Sequence, residues 1–297
     1  MAKQKKIVVV IVNYNTKNLT IAAVEGLRGV DTYVVDNGST ETGLKAVLQA
    51  QPGVTYWSLS QNIGFGRGNN YAIKKIYQQY EYLLLLNSDA KITVKALNDL
   101  VAGAEKANAD IASCRLTYPD GRFQPNAGSS PTGMHIFTWI SGLDDIGNLL
   151  RLHFNSYQES KPWYYQADRE VGWVSGSVML VKTTLLEKIS FFDEAIFMYG
   201  EDVDLCVRAR KAGAKIMWFK TPQAVHIGGA SSKDAKYKQW LGEFLGIEYL
   251  YQKHYGLLGL LYIKLLLYIF VPVRIILFFI FGKSKYAQYY AKILVKI

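Results

Sequence analysis

A chain of 297 residues, half of them hydrophobic, is long enough to bury one or two full-sized cores and too apolar to be disordered. Its two cysteines, Cys114 and Cys206, exclude a disulfide framework and a cysteine metal cluster; both read as small buried apolar residues in a reducing compartment. The formal charge of +10 is uneven: residues 231–297 hold ten basic and three acidic side chains, leaving 24 and 21 for the first 230. The basic surplus thus lies in the most apolar stretch, which fits a membrane surface and not a nucleic-acid binder with its charge on a polar face. Residues 1–6 read as a short basic leader without the apolar core of a signal peptide.

In chain order, Lys6 to Val12 is nearly all β-branched, the mark of a strand buried on both faces in a parallel sheet. Asn13-Tyr14-Asn15-Thr16 ends it. A helical rhythm from Leu19 to Leu27 follows, then a strand at 32–35 stopped by Asp36-Asn37-Gly38-Ser39, a helix over 41–50 and a strand over 54–59. Residues 69–79 read as helix and 82–86 as a fourth strand ending in Asn87-Ser88-Asp89. This alternation gives βαβ units and a doubly wound sheet, whose ligands bind beyond the carboxyl ends of the strands. Polar residues stand at each of those ends: Asn13 and Asn15, Asp36, Asn62, then Asn87 with Asp89. One polar strand end is a turn, whereas four in succession outline a site.

After Ala112 the texture changes. Residues 118–122 read as a hairpin tip, and 125–170, rich in Pro, Gly, Ser and aromatics, as a long irregular or partly helical segment. Strand character returns over 171–181, a helix over 184–189 and a strand over 215–219, followed by His226-Ile227-Gly228-Gly229. Between them stands Phe197-Met198-Tyr199-Gly200-Glu201-Asp202-Val203-Asp204-Leu205, three carboxylates in four residues between aromatics and an Arg-bearing helical pattern. An acidic first helical turn is the plain reading. A carboxylate among apolar side chains also has its pKa raised, which suits a general base.

Other residues have physical cases of their own. Asp36 can accept hydrogen bonds from a pyrimidine or a ribose, or close a turn before Gly38. Asn62 and Gly64 to Gly68 form a glycine-rich loop leading into a helix, a cradle for a diphosphate in which Arg67 would neutralise charge or simply be solvated. The glycine spacing is not that of the dinucleotide fingerprint, and the loop follows the third strand instead of the first.

The ordered set Val-Asn-Tyr-Asn, Val-Val-Asp-Asn-Gly-Ser, Asn-Ile-Gly-Phe-Gly, Leu-Leu-Asn-Ser-Asp, Phe-Asp-Glu, Gly-Glu-Asp-Val-Asp-Leu and His-Ile-Gly-Gly resembles the family 2 glycosyltransferases with the GT-A fold. Within them it is most similar to the rhamnosyltransferase-type branch, over roughly residues 6 to 232. The resemblance implies an α/β fold: a Rossmann-like mixed sheet flanked by helices. It assigns residues 1–232 to a catalytic domain, with a nucleotide-binding half over 1–115 and an acceptor-binding half over 116–232. Asn13, Asn15, Asp36, Asn62, Gly64, Arg67, Asn87 and Ser88 would bind the nucleotide-sugar, and Trp173, Gly176 and Ser177 would line its sugar pocket. Asp202 would be the catalytic base, with Glu201 and Asp204 on the acceptor. Asn87 stands where the family usually has an acid; Asp89 would keep the metal role for Mg²⁺ or Mn²⁺, and His226 would be a further ligand.

One base without a partner nucleophile implies single displacement with inversion. The activity implied is transfer of a sugar from a nucleoside diphosphate to a lipid-linked, polyprenyl diphosphate saccharide acceptor in cell-envelope polysaccharide synthesis. dTDP-L-rhamnose is the favoured donor, with galactofuranose or a hexose from UDP left open. A nucleotidyltransferase would need a basic glycine loop after the first strand, where Asn13-Tyr14-Asn15 stands. A non-catalytic scaffold subunit is suggested by Asn87 and opposed by Asp89 and Asp202.

Residues 233–297 read as amphipathic and apolar helices. Leu257 to Phe281 is long enough to span a bilayer, but Lys264, Pro272 and Arg274 interrupt it, which favours helices lying in the cytoplasmic membrane interface, peripheral or monotopic. Trp240, Phe244 and Tyr251 offer one face for packing on the catalytic domain.

Overall fold

The computed structural model describes residues 5–145, 154–229 and 234–297. The chain forms two compact units: residues 1–128 with 159–232, and residues 129–158 with 233–297. The segment 129–158, expected in the catalytic domain, therefore belongs to the same unit as the tail.

The first unit is built on β1 (Lys5–Asn13), α1 (Lys17–Glu25), β2 (Thr32–Asn37), α2 (Leu44–Gln49), β3 (Val54–Leu59), α3 (Phe65–Ile76), β4 (Tyr80–Asn87), β5 (Ala90–Lys91) and α4 (Val94–Lys106). It continues with β6 (Ile111–Thr117) and the short strands β7 (Phe123–Gln124) and β8 (Ala127–Gly128). After the excursion into the second unit come β9 (Arg169–Glu170), β10 (Trp173–Val174) and β11 (Val178–Lys182). Its last elements are α6 (Thr183–Lys188), α7 (Glu201–Lys211) and β12 (Ile216–His226).

The main sheet runs β3-β2-β1-β4-β11-β6-β12-β5. Strands β3, β2, β1 and β4 are parallel, β11 enters antiparallel between β4 and β6, and β12 is parallel to β6. Val8 to Val12 and Leu83 to Leu86 are buried on both faces, which is why those runs carry no polar alternation. The register sets Asn13 beside Asp36 and Val12 beside Asn87, so the polar strand ends meet at one edge of the sheet.

Three local readings change. Helix α3 begins at Phe65, so Gly66 and Gly68 lie inside a helix and not in a loop. The expected strand over 171–181 divides into β10 and β11, because Ser175 donates its amide to Asn126 instead of the main sheet. β12 reaches His226 through a register shift between Phe219 and Gln223.

The second unit contains α5 (Gly133–Ser141), α8 (Ala235–Ile280) and α9 (Ser284–Leu294). Non-helical backbone at Gly256, with φ +68°, breaks α8 into two helices. The aromatic face expected before the break does form: Trp240 packs on Tyr290 and Tyr286, and Phe244 on Trp139. Its partners are α5 and α9 of the same unit. Beyond the break, Ile263, Leu267 and Val271 are buried, while Arg274 donates to the carbonyls of Trp139 and Ile140 at the end of α5. Lys264 pairs with Glu248 at 3.5 Å. Both charges that interrupt the apolar run therefore have partners inside the unit, and Leu258, Leu261, Leu265, Ile269, Val273, Ile276 and Ile280 are left exposed, spaced by threes and fours as one helical face.

Candidate active site

The ends of β1 and β2 are locked by a hydrogen-bond network around Asp36. This buried carboxylate accepts from Asn13 Nδ2 at 3.1 Å, from the Ser39 hydroxyl, and from the Tyr56 hydroxyl at 2.7 Å. Burial, then the bond to Asp36, pushes the Tyr56 hydroxyl up to about 12, which keeps it the donor. Asn13 Oδ1 accepts from the Thr16 and Thr20 hydroxyls, and the Thr16 and Ser88 hydroxyl oxygens are hydrogen-bonded at 2.8 Å. Asn15, at φ +53°, caps the amide of Thr40 through Oδ1. Asn13, Asp36 and Ser88 thus share one network, completed by Ser39, Thr16, Thr20 and Tyr56, which no local pattern in the chain singles out.

The glycine segment does not form an open cradle. Gly64 has φ +93°, and a Cβ there would lie 2.5 Å from the Phe197 carbonyl oxygen, which accepts the Phe65 amide at 2.9 Å. A Cβ on Gly66 would meet Phe192, and one on Gly68 would meet Val12, both within 3.2 Å. These glycines let the 192–197 loop and β1 approach α3 closely. Asn62 Oδ1 accepts from the Gly64 amide and from Asn37, and Arg67 donates to the Glu194 carbonyl at 2.6 Å. Asn62 and Arg67 are thus engaged in holding this loop contact, where a diphosphate contact was expected.

At the other side of β4, Asp89 and His226 come together. His226 Nε2 lies 3.1 Å from Asp89 Oδ1 and 3.3 Å from Asn87 Nδ2, and its Nδ1 lies 3.0 Å from Gln124 Oε1. These contacts hold the imidazole between Asp89, Asn87 and Gln124. Two ligand atoms of one octahedral Mg²⁺-sized ion, each ~2.1 Å from it, stand about 3.0 Å apart. The pair fits that spacing, with Gln124 behind the imidazole and the Gly228 amide holding Asp89 Oδ2 at 3.1 Å. Among the described residues no cluster of three acidic, histidine or cysteine ligands occurs. Gln124 lies in a hairpin and carries no signal in the chain.

The acidic run starts α7. Tyr199 and Gly200 both have positive φ, turning the chain sharply so that Glu201, Asp202 and Asp204 occupy the first helical turn. Asp202 Oδ1 accepts from the Val203 amide at 2.8 Å and Oδ2 from the Gly176 amide at 3.0 Å. Burial raises the Asp202 pKa against the pull of these amides. Its neighbour Glu201 is 6% exposed, has Oε2 without a hydrogen-bond partner among the described residues, and is pushed up to about 8 by burial and then by the Asp202 charge. Ser177 connects this corner to β4, its carbonyl accepting the Asn87 amide at 2.9 Å. Trp173 is buried in β10, paired with β8.

Asp204 departs from the expected acceptor role. It has no exposed surface and pairs with Arg208 Nε at 2.7 Å one turn along α7, which leaves no face for an acceptor to touch. Three acids in one turn do not share a role: the helical period aims Asp204 inward.

The family model for glycosyl transferase family group 2 matches residues 82–295, well over half of the chain. The chain belongs to this family. It is 27% identical over 221 residues to N-acetylglucosaminyl-diphospho-decaprenol L-rhamnosyltransferase of Mycobacterium tuberculosis, covering 67% of each chain. It is 26% identical to rhamnosyltransferase WbbL of Escherichia coli K12, covering 73% of this chain and 82% of the relative. Among solved structures it is similar to S. aureus TarS 1–349, with a TM-score of 0.51 and 19% identity. That match covers 82% of this chain and 65% of the TarS chain, just under two thirds of its length. This family member has the GT-A fold: a mixed sheet flanked by helices.

Proposed function

We propose that this glycosyltransferase transfers L-rhamnose from dTDP-L-rhamnose, with inversion, to a polyprenyl-diphosphate-linked saccharide in cell-envelope polysaccharide synthesis. The observation that carries the reading is Asp202. Its carboxylate is fixed by two backbone amides near the edge where the polar strand ends meet, and burial raises its basicity. In the reaction, Asp202 takes the proton of an acceptor hydroxyl as that oxygen attacks the anomeric carbon. The bond from that carbon to the diphosphate oxygen breaks, and the nucleoside diphosphate leaves with the electron pair. A single displacement on the face opposite the leaving group inverts the anomeric centre.

The network of Asn13, Asp36 and Ser88 would orient the nucleoside. Asp89 and His226 would hold a divalent cation, Mg²⁺ or Mn²⁺, which when bound supplies positive charge to the departing diphosphate. Glu201, neutral at pH 7 by its burial, would donate a hydrogen bond on the acceptor side. The names of the two rhamnosyltransferase relatives support the sugar, and that of the M. tuberculosis relative supports a lipid diphosphate acceptor. The exposed apolar face of α8 supports association with a membrane surface, and the proposed place of the protein is its cytoplasmic face.

The test is transfer by purified protein, comparing dTDP-L-rhamnose with UDP-galactofuranose and UDP-hexoses, on a polyprenyl-diphosphate-linked N-acetylglucosamine. Rhamnosyl product of inverted configuration is expected. Transfer only from a UDP-sugar overturns the donor, and retention of configuration overturns the mechanism.

A further inference from the structure

A separate cavity, in the catalytic unit, belongs to none of the residues above. It has a volume of about 350 Å³ and is lined by Arg115, Phe123, Pro162, Tyr165, Gln166 and Lys220. Arg115 projects from β6 with its guanidinium carbon 5.1 Å from the centre of the Phe123 ring, and Phe123 in turn packs on Tyr165 at 4.6 Å. Stacking on an aromatic ring fixes the guanidinium plane and leaves its N–H edge open. Neither the Arg115 guanidinium nor the Lys220 ammonium has a carboxylate or carbonyl partner among the described residues, whereas other basic side chains of this unit do, as Lys182 with Asp110 and Arg208 with Asp204. The nearby acid Asp168 uses Oδ1 on the Lys220 backbone amide, at 2.8 Å. The Tyr165 hydroxyl is taken up by Ala127 and by the Glu159 carbonyl, so that side chain offers a wall and no hydrogen bond.

An arginine over an aromatic floor, with the exposed Lys220 in the same lining and neither paired among the described residues, makes a pocket for a multiply charged anion, and the fork of an arginine suits phosphate oxygens. The pocket is tied to the base by short links. Phe123 lies three residues before Asn126, whose carbonyl accepts the Ser175 amide at 2.8 Å, and the next residue, Gly176, holds Asp202. The residue after Phe123, Gln124, backs His226.

We infer that Arg115 and Lys220 bind the diphosphate of the lipid-linked acceptor, gripping it on the Phe123 floor while its saccharide reaches Asp202. This rests on the acceptor class proposed above. Recognition then reads the acceptor's charged linker separately from its sugar, so that a saccharide without the diphosphate is a poor acceptor even when its reacting hydroxyl is unchanged.

Binding separates the two claims. Geranyl diphosphate, geraniol and inorganic pyrophosphate are titrated by calorimetry into the full chain in detergent, with the donor site filled by saturating dTDP and Mg²⁺. The wild type is expected to bind both diphosphates and not geraniol. Arg115→Gln and Lys220→Met should each weaken geranyl diphosphate roughly tenfold or more, and Arg115→Lys should recover part of the loss; one charge-assisted contact is of about that size. Circular dichroism and unchanged dTDP affinity check that each variant is folded. Equal affinity in wild type and both variants overturns the proposal, as does binding of phosphatidylglycerol vesicles but not of diphosphates through these residues. If the variants lose diphosphate binding while the wild type transfers no sugar to any lipid diphosphate, the site stands and the acceptor reading falls.

Discussion

Gly176 donates its amide to Oδ2 of Asp202 at 3.0 Å, at a point where a Cβ would press on the Phe65 ring at 3.2 Å. The carboxylate is thereby oriented by a residue at which any Cβ would press the Phe65 ring by a few tenths of an ångström. Asp202→Asn keeps the shape and removes the basicity, and is expected to lower transfer by about 10²–10⁴-fold. The dTDP affinity should change little. Steady-state rates alongside calorimetry decide it: near wild-type turnover removes Asp202 from the role of base.

Gly64→Ala addresses the contact with Phe197. At φ +93°, with the Phe197 carbonyl oxygen 2.5 Å from the new methyl position, the 192–197 loop must move away. The expected cost is on the order of 1–3 kcal/mol, from strain and the lost Phe65 bond. Because that loop leads into the acidic turn, the rate should fall as well. Urea denaturation that shows unchanged stability would contradict the observed approach.

The parts of this fold that repeat were open to reading from the chain. Val8 to Val12 and Leu83 to Leu86 are apolar without alternation because both sheet faces are covered, and the polar residues that end such strands must gather at one edge. The site was less legible where its contacts join distant segments. Nothing local in Gln124 points to His226, 102 residues away, and nothing in Tyr56 points to Asp36. The glycines 64, 66 and 68 have the composition of a phosphate loop, yet their hydrogen atoms face the chain's own Phe197, Phe192 and Val12. The ownership of segment 129–158 was hidden too, since Arg274 reaches the α5 carbonyls from 134 residues away.

The proposed metal pair predicts a dependence on two side chains at once. Asp89→Ala and His226→Ala should each remove most of the Mg²⁺ or Mn²⁺ enhancement of dTDP binding, and the double variant should add little, because both act on one ion. Gln124→Leu should weaken the enhancement about 10–100-fold by releasing the orientation of the imidazole. Equal dTDP affinity with and without metal in the wild type would exclude this role.

Glu201 makes stability depend on pH. Its pKa is about 8 in the folded chain against an ordinary value of 4.5, so between those values the unfolded chain releases a proton that the folded chain keeps. Its contribution is complete below about pH 4.5 and is lost as pH rises toward 8, with a slope of at most about 1.4 kcal/mol per pH unit for one proton. Glu201→Gln should therefore gain stability relative to wild type as the buffer moves from pH 5 to 8. Parallel stability curves over that range would show that the carboxyl is ionised in the fold.

The exposed face of α8 should decide membrane attachment. Leu258, Leu261 and Leu265 are 80, 52 and 58% exposed on one side of the helix, while Lys264 and Arg274 have partners inside the unit. Each such leucine contributes up to about 1.5–3 kcal/mol when buried in lipid, whereas Lys283, Lys285, Lys292 and Lys296 add up to about 1 kcal/mol each near an anionic surface and are screened by salt. Burial therefore outweighs charge: high salt should loosen the protein only partly, and detergent should release it fully. Cutting the chain after Tyr255 would strip Arg274 from the α5 carbonyls, so point substitutions separate anchoring from folding. Leu258→Glu, Leu261→Glu and Leu265→Glu together should move the protein from the membrane pellet to the supernatant with dTDP affinity intact. Activity should fall far more on a long-chain lipid acceptor than on a short soluble analogue. A triple variant that still sediments with membranes would place the anchor elsewhere in the chain.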